Sequence, residues 1–510
     1  MKQSLLFCLF LLLPFMACEK DDATDAANAE STSPNGSMLD SNNSGFTGNT
    51  NSQGTGIVEG ENYAEIEENS FVFAAEEGTS TFSIDADGAA YANVRRYIED
   101  YSQLPPADAI RTEEMVNYFE YNYPEPNSYS PHPLKIVTEV GACPWTTTHK
   151  LIRIGIKGKN IESTDLPAAN IVFLIDVSGS MGAANKLPLL KEGFKLLVEE
   201  MRPQDRVAIV TYAGHAGVVL QSTSGEEKSK IIEAIEQLGA GGSTAGSEGI
   251  ITAYQIAEEN FVAEGNNRVI LASDGDFNVG ITNHDDLIKL IEEKRDLGVF
   301  LTTIGVGGGN LNDANMEQLA NNGNGTYEYI DDIEQAKKVF VQEFGKLYTV
   351  AKDVKVQIDF DPILVRKYRL VGYENRVLEN QDFEDDEKDA GELGSNQTIT
   401  AFYEIELMPR TSYFGEIPLT VRFRYKQPDS DDSELMIVSA VDEEKEWAAT
   451  SNDYRFAASV VSFSLLLRDS EHKGTTSFNK ILEWAGSATS YDPNGYRADF
   501  LELVNKAKNL

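Results

Sequence analysis

Two hydrophobic periods divide this chain. Ile171-Val172-Phe173-Leu174-Ile175 is a continuous apolar run, as expected for a strand covered on both faces. Leu187, Leu190, Phe194, Leu197, Val198 and Met201 then recur at helical spacing and predict an amphipathic helix. The same alternation continues with strand 207–212, helix 226–238, helix 248–261, strand 269–273, helix 285–297, strand 300–305, strand 325–330 and helix 333–347. Strands and helices alternating through short loops predict an α/β unit built on a doubly wound, mostly parallel sheet.

On either side of this unit the period is mostly two. Ser80-Thr81-Phe82-Ser83-Ile84 alternates like a strand, and segments 134–140 and 151–157 do the same around Gly141-Ala142-Cys143-Pro144-Trp145. Helices are expected at 89–101 and 112–119, the second opened by Thr112 with Glu113 and Glu114 in its first turn. Beyond Asp353, segments 354–360, 398–407, 417–425 and 436–441 read as strands. Helical spacing returns at 454–467, 476–488 and 496–507. Strands before and after the α/β unit imply that it is inserted into a β-domain made from both flanks.

The first residues point to a compartment. Met1-Lys2-Gln3-Ser4 is a short basic start, Leu5 to Phe15 is apolar, and Met16-Ala17-Cys18 places a small residue before a cysteine. The apolar run is shorter than the roughly 20 residues a membrane-spanning helix needs, so it reads as a signal peptide. The small residue before Cys18 resembles a bacterial lipobox, which implies a lipidated Cys18 and a protein anchored at the cell envelope, on the outer membrane and open to display at the cell surface. Glu19-Lys20-Asp21-Asp22 beside it resembles the surface-export signal of Bacteroidetes lipoproteins, and reads equally as tether charge. A polar Ala/Ser/Asn/Gly/Thr tract follows that cannot bury enough apolar surface to order itself. The expected division is therefore a signal segment 1–18, a disordered tether 19–70, an N-terminal flanking region 71–167, the α/β unit 168–350, a β-rich region 351–450 and C-terminal helices 451–510. With Cys8 in the signal segment and Cys18 lipidated, Cys143 remains as a lone thiol, read as a small buried hydrophobe.

Charge narrows the partners. The 510 residues carry 82 acidic and 43 basic side chains, a formal net charge of −39. Such a field repels a phosphate backbone, so no nucleic-acid partner is expected. The same acidity serves solubility.

One loop carries candidate chemistry. Asp176-Val177-Ser178-Gly179-Ser180 follows the first buried strand, where open α/β sheets place their ligands. One carboxylate and two hydroxyls on one turn are hard oxygen donors, which suit Mg²⁺, Mn²⁺ or Ca²⁺. Gly241-Gly242-Ser243-Thr244 precedes a helix, and Ser273-Asp274-Gly275-Asp276 follows a buried strand. With these loops the sequence resembles the von Willebrand factor type A domain and its metal-ion-dependent adhesion site, an Asp-x-Ser-x-Ser motif completed by a Thr and an Asp. The resemblance implies a divalent cation, first of all Mg²⁺, with Ser178 and Ser180 as direct ligands. Thr244 would join directly or through water, and Asp176 and Asp274 would hold the ion, often through water. It also implies a protein or matrix partner that offers an Asp or Glu to the remaining coordination position.

The flanks add to the resemblance. Glu113-Glu114-Met115-Val116-Asn117-Tyr118-Phe119, Gly141-Ala142-Cys143-Pro144-Trp145, Leu370-Val371-Gly372-Tyr373-Glu374-Asn375-Arg376 and Asp389-Ala390-Gly391-Glu392 together resemble bacterial lipoproteins that carry a type A domain between dedicated flanking regions.

Catalysis finds little support in the sequence. His132, His149, His215, His284 and His472 show no metal-ligand spacing, and no Gly-x-Ser-x-Gly elbow surrounds Ser178 or Ser180. Gly305-Val306-Gly307-Gly308-Gly309 lacks the Lys and Ser/Thr of a phosphate loop and reads as backbone needing positive φ. The expectation is a non-enzymatic, metal-dependent binding module on a lipid anchor. An envelope assembly role with a structural metal is the alternative, and a metal-dependent hydrolase a remote one.

Overall fold

The computed structural model describes residues 58, 60–84, 87–127, 129–213, 215–241, 247–275 and 284–510. A six-stranded sheet runs in the order Tyr327–Ile330, Val299–Val306, Asn266–Ser273, Ala169–Asp176, Arg206–Ala213, His215–Ser224. All neighbours pair in parallel except the last, an antiparallel edge. Every residue of Ala169–Asp176 is buried, because helices cover both faces of its unbroken apolar run. Leu190, Phe194 and Leu197 of helix Leu187–Glu200 close over Phe173 on one face. On the other, Ile250 and Tyr254 of helix Ser247–Glu259 and Leu287 of helix His284–Asp296 close over Leu174 and Val210.

The flanks form two further sheets around one apolar core that includes Phe82, Ile154, Val356, Tyr403 and Val421. One runs in the order Val72–Phe73, Val365–Val371, Thr398–Leu407, His149–Gly158, Leu134–Ala142. The other runs Val377–Leu378, Thr79–Ser83, Thr349–Phe360, Leu419–Lys426, Ser433–Ala440. Both sheets combine strands from before and after the α/β unit, for example Thr79–Ser83 beside Thr349–Phe360. The α/β unit is thus an insertion, as the flanking pattern implies. Helices Asn452–Leu467, Phe478–Gly486 and Tyr496–Ala507 share a separate core with Ala89–Glu99 and Thr112–Asn117, centred on Phe119, Phe456, Phe463 and Phe500. Among the described residues no helix is long and apolar enough to cross a membrane.

Several expectations need correction. The helix expected at 333–347 is an α-turn Ile333–Lys337, a π-turn Lys338–Gln342 and a 3-10 turn Phe344–Leu347. Lys338 and Glu343 are both buried and paired five residues apart, and a π-turn aligns residues at that spacing where an α-turn does not. Edge strand His215–Ser224 and helix Asp313–Asn322 were absent from the periodic reading. The first leaves Val218 and Val219 exposed, and the second is mostly polar with Met316, Leu319 and Ala320 as its buried stripe. The tether expected to run to residue 70 is docked earlier: Glu61 is buried and Asn62 forms a parallel bridge with Asn312. Ion pairing, which composition does not register, holds this polar stretch.

Candidate metal centre

The chain reverses its course through the sheet at Ala169–Asp176, which has Arg206–Ala213 on one side and Asn266–Ser273 on the other. The crevice beyond such a switch point is where this architecture accepts ligands. Asp176 ends strand Ala169–Asp176 and Asp274 directly follows strand Asn266–Ser273. Both are wholly buried.

Local hydrogen bonds shape the loop. Asp176 Oδ1 accepts from the backbone N–H of Ser178 at 2.7 Å, the turn that an aspartate makes with the residue two further on. Its Oδ2 accepts from the Ser273 hydroxyl at 3.4 Å. The Val177 N–H donates to the Tyr212 carbonyl at 3.2 Å, and the Val177 carbonyl accepts from Gly241 at 2.7 Å. A 3-10 turn, Gly179–Gly182, follows with Met181 buried beneath it. The turn swings Ser180 back over Ser178, so that their Oγ atoms stand 3.0 Å apart. Ser178 is buried and Ser180 is exposed, so the site opens to solvent on the Ser180 side.

Asp274 is held differently. Its Oδ2 accepts from Lys186 Nζ at 2.8 Å, and Lys186 also donates to Asn310 Oδ1 at 3.1 Å. Its Oδ1 is buried with no hydrogen-bond partner among the described residues. Gly275 turns the chain away with φ +106°, and a Cβ there would lie 2.3 Å from the Asn312 nitrogen. Only glycine fits that backbone.

The electrostatics would suit a cation. Burial pushes the Asp176 carboxyl up to about 6, and the nearby charge of Asp274 adds to the push against the hydrogen bonds from Ser178 and Ser273. The donor geometry agrees: oxygens about 2.1 Å from an octahedral Mg²⁺ stand about 3 Å apart along each edge. The two serine hydroxyls, hydrogen-bonded to each other at 3.0 Å, stand at a separation compatible with such an edge. Among the described residues no group of three or more His, Cys, Asp or Glu is spaced to hold an ion. The residues that would hold one here are two hydroxyls with two buried carboxylates: Ser178, Ser180, Asp176 and Asp274.

Four of the five expected metal ligands thus lie in the loops at one end of the sheet. Thr244 lies outside the described residues, as does Cys18. Lys186, Asn310 and Ser273 were missed as contributors. Ser273 stood beside Asp274 in the sequence, whereas nothing near Lys186 marks it except the helix it precedes. The histidines lie elsewhere where their side chains are described: His149 bonds Glu404 at 2.6 Å, His132 bonds Tyr425 at 2.8 Å and His284 bonds Gln318 at 3.0 Å. Cys143 is buried, as expected of a small hydrophobe.

Known proteins resemble the chain in three successive blocks. The family model described as von Willebrand factor matches residues 57–153, and that of the von Willebrand factor type A domain matches 170–342. The model described as Uncharacterized protein YfbK, C-terminal, matches 345–510. Over 473 residues the chain is 40% identical to the Uncharacterized protein YfbK of Escherichia coli (strain K12), covering 88% of this chain and 81% of that protein. It is 24% identical over 303 residues to the Uncharacterized protein sll0103 of Synechocystis sp., covering 57% and 69% of the two. Among solved structures, the von Willebrand factor type A protein from Catenulispora acidiphila aligns with a TM-score of 0.44 at 15% identity, covering 74% of this chain and 91% of that one.

Proposed function

Since the chain belongs to the YfbK family and carries a von Willebrand factor type A domain, we propose that it is a metal-dependent ligand-binding module held at the cell envelope by a lipid on Cys18. The ion is Mg²⁺, with Mn²⁺ and Ca²⁺ as alternatives, and the ligand is an acidic residue on a protein or matrix partner. The observation that carries this reading is the Ser178–Ser180 hydroxyl pair at 3.0 Å beside two buried carboxylates. Neutral hydroxyls leave much of the ion's charge undissipated, so an open position toward Ser180 attracts a carboxylate. No nucleophile–base pair is part of the reading, and the module acts by binding alone.

Calorimetric titration of Mg²⁺ into the wild-type protein and Asp176→Ala tests the site. Loss of binding in the variant supports the assignment, and an unchanged affinity refutes it. Capture of partners from an envelope extract with and without EDTA tests the function: retention of the same partners in EDTA sinks metal-dependent recognition. Labelling of Cys18 by a fatty-acid probe in growing cells tests the anchor.

A further inference from the structure

Lys186 brings a positive charge into the place where a divalent ion is expected. Its ammonium donates to Asp274 Oδ2 at 2.8 Å and to Asn310 Oδ1 at 3.1 Å, and its side chain is only 9% exposed. The position is built into the fold. Its aliphatic stem runs against Gly307, whose φ is +67°, and a Cβ at residue 307 would lie 2.3 Å from Lys186 Cε and 2.5 Å from Cγ. The Gly307 carbonyl in turn accepts from Arg96 at 3.0 Å and from Tyr329. At the other end, the Lys186 carbonyl accepts from Leu190 in the first turn of the following helix at 3.0 Å. The Gly307 backbone and the helix together fix where the ammonium stands.

The charges explain what it does there. Asp176 and Asp274 together offset the formal charge of a bound dication, so a carboxylate arriving on the open Ser180 side would be attracted by the ion yet leave the site with one net negative charge. With Lys186 included, the ion-loaded site carries one net positive charge, and a single ligand carboxylate cancels it. Lys186 also occupies only Oδ2 of Asp274, while Oδ1 has no hydrogen-bond partner among the described residues. We propose that Lys186 is the resident counter-charge of the metal site: it weakens uptake of the ion alone and makes the loaded site select an anionic ligand. This rests on the metal-dependent reading above. Held on the same carboxylate that would hold the ion, a unit charge opposes a dication by roughly tenfold even at the dielectric constant of water.

The test titrates Mg²⁺ calorimetrically into the wild type, Lys186→Met, Lys186→Gln and Asp176→Ala, in chloride and in acetate at equal ionic strength, with acetate as the carboxylate probe. Methionine keeps an unbranched stem along Gly307, and glutamine keeps a hydrogen-bond donor without the charge, so the pair separates charge from packing. Both Lys186 variants are expected to bind Mg²⁺ at least ten times more tightly in chloride. Acetate is expected to tighten Mg²⁺ binding in the wild type and not in the variants. Thermal unfolding in EDTA provides a metal-free readout, in which the variants unfold below the wild type because Asp274 has lost its counter-charge. Equal or weaker Mg²⁺ binding by both Lys186 variants, or an equal effect of acetate on all of them, overturns the role of Lys186 while loss of binding in Asp176→Ala keeps the metal site. A wild type that binds no Mg²⁺, or an Asp176→Ala that binds as well as the wild type, overturns both.

Discussion

The Arg96 guanidinium grips both carboxylate oxygens of Glu61 at 2.8 Å, with side-chain exposures of 1% and 0%. Glu61 Oε1 also accepts from the Gly309 N–H at 2.9 Å, and Arg96 donates to the Gly307 carbonyl. One ion pair therefore ties the segment ahead of the first sheet to the glycine loop that flanks the proposed metal site. Burial alone would raise the Glu61 carboxyl, but the hydrogen bond and charge of Arg96 outweigh it and hold it below the usual range.

Truncating one member of that pair leaves the other charged in a dry place. Glu61→Ala is expected to cost about 3–5 kcal/mol of unfolding free energy, measured by urea denaturation. The double variant Glu61→Leu/Arg96→Met is expected to recover most of the loss, because apolar replacements of similar volume leave no charge behind. A single variant within about 0.5 kcal/mol of the wild type, the range of ordinary surface substitutions, would show that the pair contributes no more than such a site.

Metal removal should be visible in stability. An ion that binds only the folded chain stabilises it by about 2.7 kcal/mol at a concentration one hundred times its dissociation constant. The expected outcome is a lower melting temperature when EDTA replaces saturating Mg²⁺, with no such difference in Asp176→Ala. Equal EDTA sensitivity in both proteins would place the relevant ion elsewhere.

Acid should loosen the flanking sheets through Glu404. Its carboxylate accepts from Trp145 Nε1 at 3.1 Å, His149 Nδ1 at 2.6 Å and Arg369 at 2.8 Å. Burial pushes its titration upward, but the His149 hydrogen bond and the Arg369 charge prevail and hold it below the usual carboxylate range. A carboxyl lowered in the folded state contributes stability above its unfolded value, and that contribution disappears as pH falls through the folded value. Unfolding free energy is therefore expected to drop from pH 5 toward pH 3 in the wild type. In Glu404→Gln the drop should be shallower, from a start about 2–4 kcal/mol lower at pH 7. Parallel pH profiles for the two proteins would rule out Glu404 as a source of the acid sensitivity.

The α/β unit was legible because its strands advertise themselves. An apolar run such as Ile171–Ile175 has one stable fate, and the motif that follows it falls at a strand end by construction. The insertion into the flanking sheets was also readable, since period-two segments lie on both sides. What escaped was set by pairings between particular buried side chains. Glu61 docks on Arg96, Lys186 reaches Asp274 and Asn310, and Lys338 bends its helix toward Glu343. Each is a buried charge whose partner the chain supplies from another element or another turn, and neither hydrophobic period nor composition records such a match. The edge strand His215–Ser224 escaped for the opposite reason, because half-exposed Val218 and Val219 give no buried stripe to detect.

Gly275 connects the proposed metal loop to the same network and yields the last prediction. Its positive φ lays the residue after Asp274 directly against Asn310, Leu311 and Asn312. That stretch is braced from behind, since Asn62 N–H donates to the Leu311 carbonyl at 2.9 Å and the Asn62 carbonyl accepts from Asp313 at 3.0 Å. A methyl group at residue 275 therefore meets backbone that cannot yield without releasing residue 62. Moving Asp274 instead separates it from Asp176 and from Lys186. Gly275→Ala is accordingly expected to weaken Mg²⁺ affinity at least tenfold and to lower stability by about 2–3 kcal/mol, beyond the roughly 1 kcal/mol that positive φ alone imposes on alanine. Calorimetric titration and urea denaturation of the same preparation read the two effects. A stability loss with unchanged Mg²⁺ affinity would mean that the loop relaxes by displacing residues 310–312 and that Asp274 keeps its place without them.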